Sequence, residues 1–296
     1  MSAVVPWGSS FIVNKLLMNE MGPATLSLYR WLLATAIFTG FLFATRRHRT
    51  AAHLLRHQPG IFLVLGILCL PIPYLAQNFA LQRTSVINVS VLMDSDPVFI
   101  VILSALLLRE RVTWIQSVGV FIALLGTVAI TANAGPLGLA SSDLVGNLLA
   151  LCAACSWAVY TILTKVAARE HDYLMLSILP TLLGTVFLVP PALLEGLTWP
   201  SNPWIWLGVL FLGIVCSAWA TMAWVRVLNE LDASRAAPFI FLIPVVATAL
   251  SVTLLHERLT APTAFGAILI LGGVFLSERN GVRKQASQPV KVGEQV

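Results

Sequence analysis

The chain has 296 residues, of which 58% are hydrophobic and only 10% charged, against roughly 25% charged in an ordinary soluble domain. Eighteen Lys and Arg with thirteen Asp and Glu cannot clothe a 32.0 kDa globule, and the mean hydropathy of +0.86 agrees. This composition excludes a water-soluble fold and requires lipid as a solvent. The net charge of +5 would fit a nucleic-acid partner only if the basic residues shared one face; they are scattered among loops, so no nucleic-acid partner is expected.

Ten long apolar runs follow one another, at about 2–18, 24–44, 60–80, 86–108, 113–132, 144–166, 173–193, 204–225, 234–255 and 261–278. Gly22-Pro23, Pro59-Gly60, Gly135-Pro136, Pro190-Pro191 and the Pro200 to Pro203 segment punctuate them. Lipid leaves backbone groups no water to pair with, so only helices or a closed barrel can span it, and runs of this length without period-two alternation reject the barrel. The expectation is an all-α membrane protein.

The first run lacks a basic leader and a small-residue cleavage site, so it is expected to remain as a span. Only six residues precede Trp7, against about a dozen of the sixth run before Trp157, so the expectation is a truncated first helix or a misplaced start codon. Trp7, Ser10, Phe11 and Asn14 form one polar and aromatic stripe on it, ending near Lys15. The second run opens with Tyr29-Arg30; Arg30, Lys15 and Lys165 lie toward span ends and are read as snorkelling to the headgroups, with an acid or anionic group as the alternative partner for Arg30. In the third, Tyr74, Gln77 and Asn78 at i, i+3 and i+4 share one helical face.

The fourth run holds Asp94 and Asp96, while the other eleven carboxylates fall in loops, tails or span ends. An ionisable group at bilayer depth costs about 2.5–3.5 kcal/mol on insertion scales, so two in one helix call for a function. At about 100° per residue they stand some 200° apart, which predicts that one lines the pathway while the other pairs with a neighbouring helix. Either is a candidate proton-coupling site. Glu110 and Glu257, after their helices, are expected to pair with adjacent basic residues, and Gly119, Gly126, Gly266 and Gly273 to permit close helix approach.

The sixth run carries Trp157, Tyr160, Thr161 and Thr164, and the eighth Thr221 and Trp224. Cys152 and Cys155 form a CxxC without partner ligands, and all four cysteines read as small buried residues; neither a metal nor another cofactor is expected. Most of the nine tryptophans are assigned to interfacial belts. With the amino terminus inside, fourteen of the eighteen basic residues fall on the inner side, which places both termini in the cytoplasm.

The halves repeat each other. Trp7 to Lys15 lies over Trp157 to Lys165 at an offset of 150, and Pro97, Glu110-Arg111, Gly119 and Gly126 lie over Pro244, Glu257-Arg258, Gly266 and Gly273 at an offset of 147. The stripe of the first run thus falls on that of the sixth, and Tyr74 and Gln77 fall on Thr221 and Trp224. Five spans per copy is an odd number, so the second copy enters the membrane from the opposite side: an inverted repeat, which is a secondary-transporter signature. The expected units are 1–132, 144–278 and a cytoplasmic tail 279–296.

These residues resemble the EamA family of the drug/metabolite transporter superfamily, through Trp7-Gly8-Ser9-Ser10 with Lys15, Tyr29-Arg30, Pro97, Glu110-Arg111 and the glycines of the fifth run. The resemblance covers almost the whole chain. It implies ten helices in two inverted five-helix repeats around a central cavity, and export of metabolites or amino acids as a common activity.

The resulting expectation is a secondary carrier in the plasma membrane, the inner membrane of a bacterium, exporting amino acids or related amphipathic or cationic solutes by alternating access. Its partners are a small-molecule substrate, the bilayer and a coupled proton, and it is a monomer or homodimer. The substrate pathway is assigned to Trp7, Ser10, Asn14, Tyr74, Gln77, Asn78, Asp94, Asp96, Trp157, Tyr160, Thr161, Thr164, Thr221 and Trp224. Rival readings are a facilitative uniporter or drug efflux carrier, and a non-transporting sensor or assembly partner. An intramembrane enzyme is disfavoured because His48, His53, His57, His171 and His256 all lie in loops or at span ends, and no GxxxxGK[ST] signature is present for ATP.

Overall fold

The computed structural model describes residues 3–18, 20–81, 83, 89, 92–132, 144–254 and 260–285. Among them every regular element is helical. Seven helices are long and apolar enough to cross a membrane: Pro23–Ala44, Pro59–Gln77, Leu144–Ala167, Tyr173–Glu195, Pro203–Glu230, Ala233–Leu250 and Ala261–Glu278. Asp96–Leu107 and Trp114–Ile130 are shorter apolar helices. The first helix, Val4–Leu17, has 14 residues; at about 1.5 Å per residue it rises about 21 Å, short of the roughly 30 Å of hydrocarbon in a bilayer.

Helix ends follow local chemistry. Pro23, Pro59 and Pro203 open their helices, where a missing N–H forfeits no bond. Asp172 and Asn202 cap theirs by accepting from the backbone N–H of Met175 at 2.9 Å and Trp204 at 3.0 Å. Arg46 and Arg109 take positive φ values of 56° and 55° just past Pro23–Ala44 and Asp96–Leu107. There the N–H of Arg47 returns to the Leu42 carbonyl and that of Arg46 to the Phe43 carbonyl, closing the first end as a Schellman turn, while at the second the N–H of Glu110 reaches back to the Ser104 carbonyl.

Four features depart from the runs read in the sequence. The stretch between the second and third runs contains a helix of its own, His48–His57, with Ala51 buried and Leu54 and Leu55 packed on the core. The third run breaks at Leu70 into Pro59–Cys69 and Pro71–Leu81, because Pro71 has no N–H for the helical ladder. The eighth widens into a π-helix at Leu212–Trp219, at an offset of 147 from the Pro71 break. The last helix runs on to Gln285, beyond the expected boundary at 278.

Packing is closest where side chains vanish. Trp114–Ala132 crosses Ala261–Gln285 with Gly119 against Gly273 and Gly126 against Gly266; a Cβ at either of the first two would stand 2.5 Å from the other's carbonyl oxygen, and at either of the second two, 2.6 Å. Since 119 meets 273 while 126 meets 266, the two helices run antiparallel. Gly66 and Gly184 make a similar close approach between Pro59–Cys69 and Tyr173–Val186. Small residues at a crossing let backbones meet where lipid gives no hydrophobic drive.

Two buried clusters flank the interior, one around Phe38, Phe62, Leu65, Tyr160 and Leu176, the other around Ile100, Ala123, Ala158, Phe241 and Ile270. Large apolar side chains also cover the outside, among them Leu106, Phe121, Phe265 and Phe275. That surface suits hydrocarbon rather than water. The protein is a multi-pass membrane protein.

Candidate functional site

A cavity of about 250 Å³ opens between the two clusters. Of the pathway residues expected from sequence, Trp7, Ser10, Asn14, Tyr74, Gln77, Asp94, Asp96, Trp157 and Thr221 line it. Tyr160, Thr161 and Thr164 do not: each is fully buried, packed inside the protein beside the cavity wall. Trp224 is buried behind the wall, its ring 5.9 Å from that of Trp7. The side chain of Asn78 lies outside the described residues.

The wall is built by helix distortions. The first helix is moored to the π-segment twice: Trp7 Nε1 donates to the Cys216 carbonyl at 3.1 Å, and Cys216 Sγ donates to the Pro6 carbonyl at 3.1 Å. Trp7 then meets Trp157 edge to face, with centroids 5.7 Å apart. π-helical segments pinch extra residues into a turn and recur at functional sites. Opposite, the Leu70–Pro71 break turns Pro73, Tyr74 and Gln77 toward the same space.

Both acids line the cavity, which corrects the expectation that one would turn away. Residues 94 and 95 form a turn, and the helix begins only at Asp96 with Pro97 in its first turn. The 100° helical step therefore does not apply between them. Asp96 is buried and Asp94 half-buried; among the described residues neither carboxylate has a hydrogen bond or ion pair.

Arg30 is a second correction. It is 5% exposed and lines the cavity instead of snorkelling. Its Nε donates to Ser217 Oγ at 2.9 Å, and its guanidinium carbon lies 5.7 Å from the Trp31 ring centroid and 6.0 Å from that of Tyr74. Lys165 does not snorkel either: its Nζ donates to the carbonyls of Leu228 and Leu231 at 2.8 and 2.7 Å, capping the helix Ala220–Glu230. The side chain of Lys15 lies outside the described residues.

The carboxylate of Glu110 accepts from the backbone N–H groups of Ala233 and Ser234 at 3.0 and 2.9 Å, instead of pairing with a basic neighbour. A helix start carries free N–H groups and partial positive charge, which makes it the stronger competitor for a carboxylate. Glu195 does the same for Ala24 and Thr25, at 3.1 and 2.8 Å, at the head of the helix that bears Arg30. Glu257 lies outside the described residues.

Sequence reasoning also missed Trp31, Cys69, Met93, Ala153, Ala154, Ile240 and Ile243 in the wall. The repeat offset could have found one: Asp96 plus 147 is Ile243. Trp7, Trp31, Trp157 and Trp224 are interior, not interfacial. Cys152 is exposed on the apolar exterior, unlike the buried Cys69 and Cys216.

A multi-pass membrane protein whose helices enclose a charged, aromatic-walled cavity has the construction of a solute transporter. Comparison with known proteins gives the family: the chain belongs to the EamA-like transporter family of the drug/metabolite transporter superfamily, whose model matches residues 1–132 and 144–279. It is 29% identical to an uncharacterized transporter of Archaeoglobus fulgidus over 92% of this chain and 93% of that one. A protein of Streptantibioticus cattleyicolor named a probable terminal-alkyne amino-acid exporter is 30% identical, with 97% and 95% covered. One of Escherichia coli named a probable amino-acid metabolite efflux pump is 26% identical, with 93% and 91% covered. A crystal structure of 23% identity superposes with a TM-score of 0.84 over 96% of both chains, which shows a shared fold. The family and its members' names point to a transporter of small molecules, not to an enzyme.

Proposed function

We propose that this protein is a secondary carrier exporting amino acids or related amphipathic and cationic metabolites by alternating access. The observation that carries the reading is the meeting of Asp94 and Asp96 with Trp7, Trp31, Tyr74 and Trp157 in one cavity. Carboxylates and ring faces both attract an ammonium group, and the buried Asp96, without a hydrogen bond or ion pair among the described residues, would otherwise bear an uncompensated desolvation penalty. The names of the Streptantibioticus and Escherichia relatives support the amino-acid class.

The architecture that goes with this reading is ten spans in two inverted repeats, 1–132 and 144–278, rocking about the cavity, with both termini and the tail 279–296 in the cytoplasm of a bacterial cell. Three contacts between positions at the repeat offsets support it. Trp7 meets Trp157, the hydroxyls of Thr35 and Thr185 hydrogen-bond at 3.0 Å, and the glycine crossing pairs each helix's two positions reciprocally with the other's. Asp94 and Asp96 are the proton-coupling groups in this scheme.

The test is radiolabelled amino-acid flux in proteoliposomes, with and without an imposed pH gradient. The carrier reading expects flux, its acceleration by the gradient, and loss of that acceleration in Asp94→Asn or Asp96→Asn. Flux indifferent to the gradient and to both substitutions replaces coupling by facilitated diffusion; no flux of any solute leaves a sensor or assembly partner.

A further inference from the structure

The acids do not line the cavity alone. Arg30 shares the wall with them, and a guanidinium offers five N–H donors in a planar fork, of which the bond to Ser217 uses only Nε. Among the described residues the ion pairs are Arg47–Asp172 and Arg226–Glu230, neither at the cavity, so Arg30 is not within ion-pair distance of Asp94 or Asp96. Ionisable groups of both signs, Asp96 and Arg30 buried and Asp94 half-buried, therefore line one small volume with no ion pair between them among the described residues. Left to themselves they should either close on one another or be replaced by apolar groups, since uncompensated burial is costly for each. The protein instead clamps the cation: Ser217, on the π-segment, fixes Nε, and the rings of Trp31 and Tyr74 lie within about 6 Å of the guanidinium carbon.

A molecule that neutralises both ends must carry both charges. We propose that Arg30 anchors the carboxylate of a zwitterionic amino acid whose ammonium is received by Asp94 and Asp96, so that the site selects amino acids over the corresponding amines. The inference rests on the exporter reading above and narrows it from amphipathic or cationic solutes to zwitterions. Arg30 is the specificity-determining residue; Ser217 is a positioning residue that acts through it. The forked guanidinium suits a carboxylate's two oxygens in a way an ammonium cannot. The apolar walls of Met93, Ile240 and Ile243 suit a short aliphatic side chain, which makes leucine the probe.

The experiment measures thermal stabilisation of the purified full-length protein, and inhibition of labelled-leucine flux in proteoliposomes, by leucine and by its decarboxylated counterpart 3-methylbutylamine. Wild type should bind leucine at least about tenfold more tightly than the amine, since a site built to hydrogen-bond a group discriminates against analogues lacking it. Arg30→Gln should erase that preference by weakening leucine and not the amine, which loses a like-charged neighbour, Arg30→Lys should restore part of it, and Ser217→Ala should reduce it in a protein that keeps Arg30. Equal binding of leucine and amine by wild type, binding of neither, or a preference unmoved in Arg30→Gln and Ser217→Ala overturns the assignment. If Arg30→Gln fails to fold, Ser217→Ala decides. Leucine that binds by way of Arg30 but is not moved across the vesicle membrane would sink the exporter reading and leave the anchor standing; amine transported in preference to leucine would do the reverse.

Discussion

Where Trp114–Ala132 crosses Ala261–Gln285, each helix offers the other the same two glycines at the same repeat positions, and the distances a Cβ would meet are matched pair by pair at 2.5 and 2.6 Å. Around the cavity, positions at the same offsets differ in kind. Asp94 corresponds to Phe241, Asp96 to Ile243, Tyr74 to Thr221 and Arg30 to Pro180. The pairs that keep their chemistry in both halves, Trp7 with Trp157, Cys69 with Cys216 and Met93 with Ile240, are aromatic or apolar and carry no charge. Duplicated backbones can hold a frame by symmetry because packing asks only for shape. A bound solute has no such symmetry, and charges placed on both halves would double the burial penalty. The scaffold is thus shared between the halves while the ionisable groups sit in one.

The strongest way to break that contrast is to compare Asp96 with Ile243. Asp96→Asn should lower amino-acid flux at least about thirtyfold, because losing one partner of a buried charge contact costs about 2–5 kcal/mol. Ile243→Val should leave flux within about tenfold, since removing one methylene typically costs about 0.5–1.5 kcal/mol. Initial rates in proteoliposomes at matched protein content decide it. Equal losses would mean that the two halves contribute alike.

The glycine crossing makes the opposite demand. Gly126→Leu and Gly266→Leu each place a side chain against the other helix's backbone, where a Cβ would lie 2.6 Å from a carbonyl oxygen. Both should destabilise by about 1–3 kcal/mol, as overpacked cores do, and by similar amounts. Gly272→Ala, with nothing within 4 Å of its Cβ position, is the control and should leave Tm unchanged or slightly higher. A large difference between the first two, measured by thermal unfolding in detergent, would break the reciprocity.

The symmetric part of the molecule is also what could be read without coordinates. Apolar runs, glycines and the Trp7 and Trp157 stripes are local or repeated signals, and most of the third-run and first-run stripe does face the cavity. The asymmetric part was hidden by local geometry. A turn at 94–95 cancels the helical angle that was used to separate the acids. Arg30 lies eight residues into a helix beginning at Pro23, close enough to a span end to pass for a snorkelling residue, and its anchor Ser217 is 187 residues away. The π-segment carries no proline that would reveal it. Pro71 and Pro73, by contrast, stood inside the third run as a signal that it would break. Ala51, Leu54 and Leu55, at i, i+3 and i+4, marked the helix His48–His57 within a basic stretch that was read only for its charge.

The finest test of the shared frame is the pair Thr35 and Thr185, whose hydroxyls meet at 3.0 Å between Pro23–Ala44 and Tyr173–Val186. Thr185 Oγ1 also has the Thr181 carbonyl at 2.7 Å, so it donates there and accepts from Thr35 with a lone pair. Thr35→Val removes the donor and leaves Thr185 with its own helix, which should cost about 0.6 kcal/mol, the average for interhelical bonds in lipid. Thr185→Val should cost more, because it strands the Thr35 donor between packed helices. The double variant replaces both by isosteric apolar groups and should recover part of that loss. A double-mutant cycle on thermal stability reads the coupling directly. Strictly additive losses would mean that the two halves are held there by packing alone, and that this hydrogen bond adds nothing to the frame.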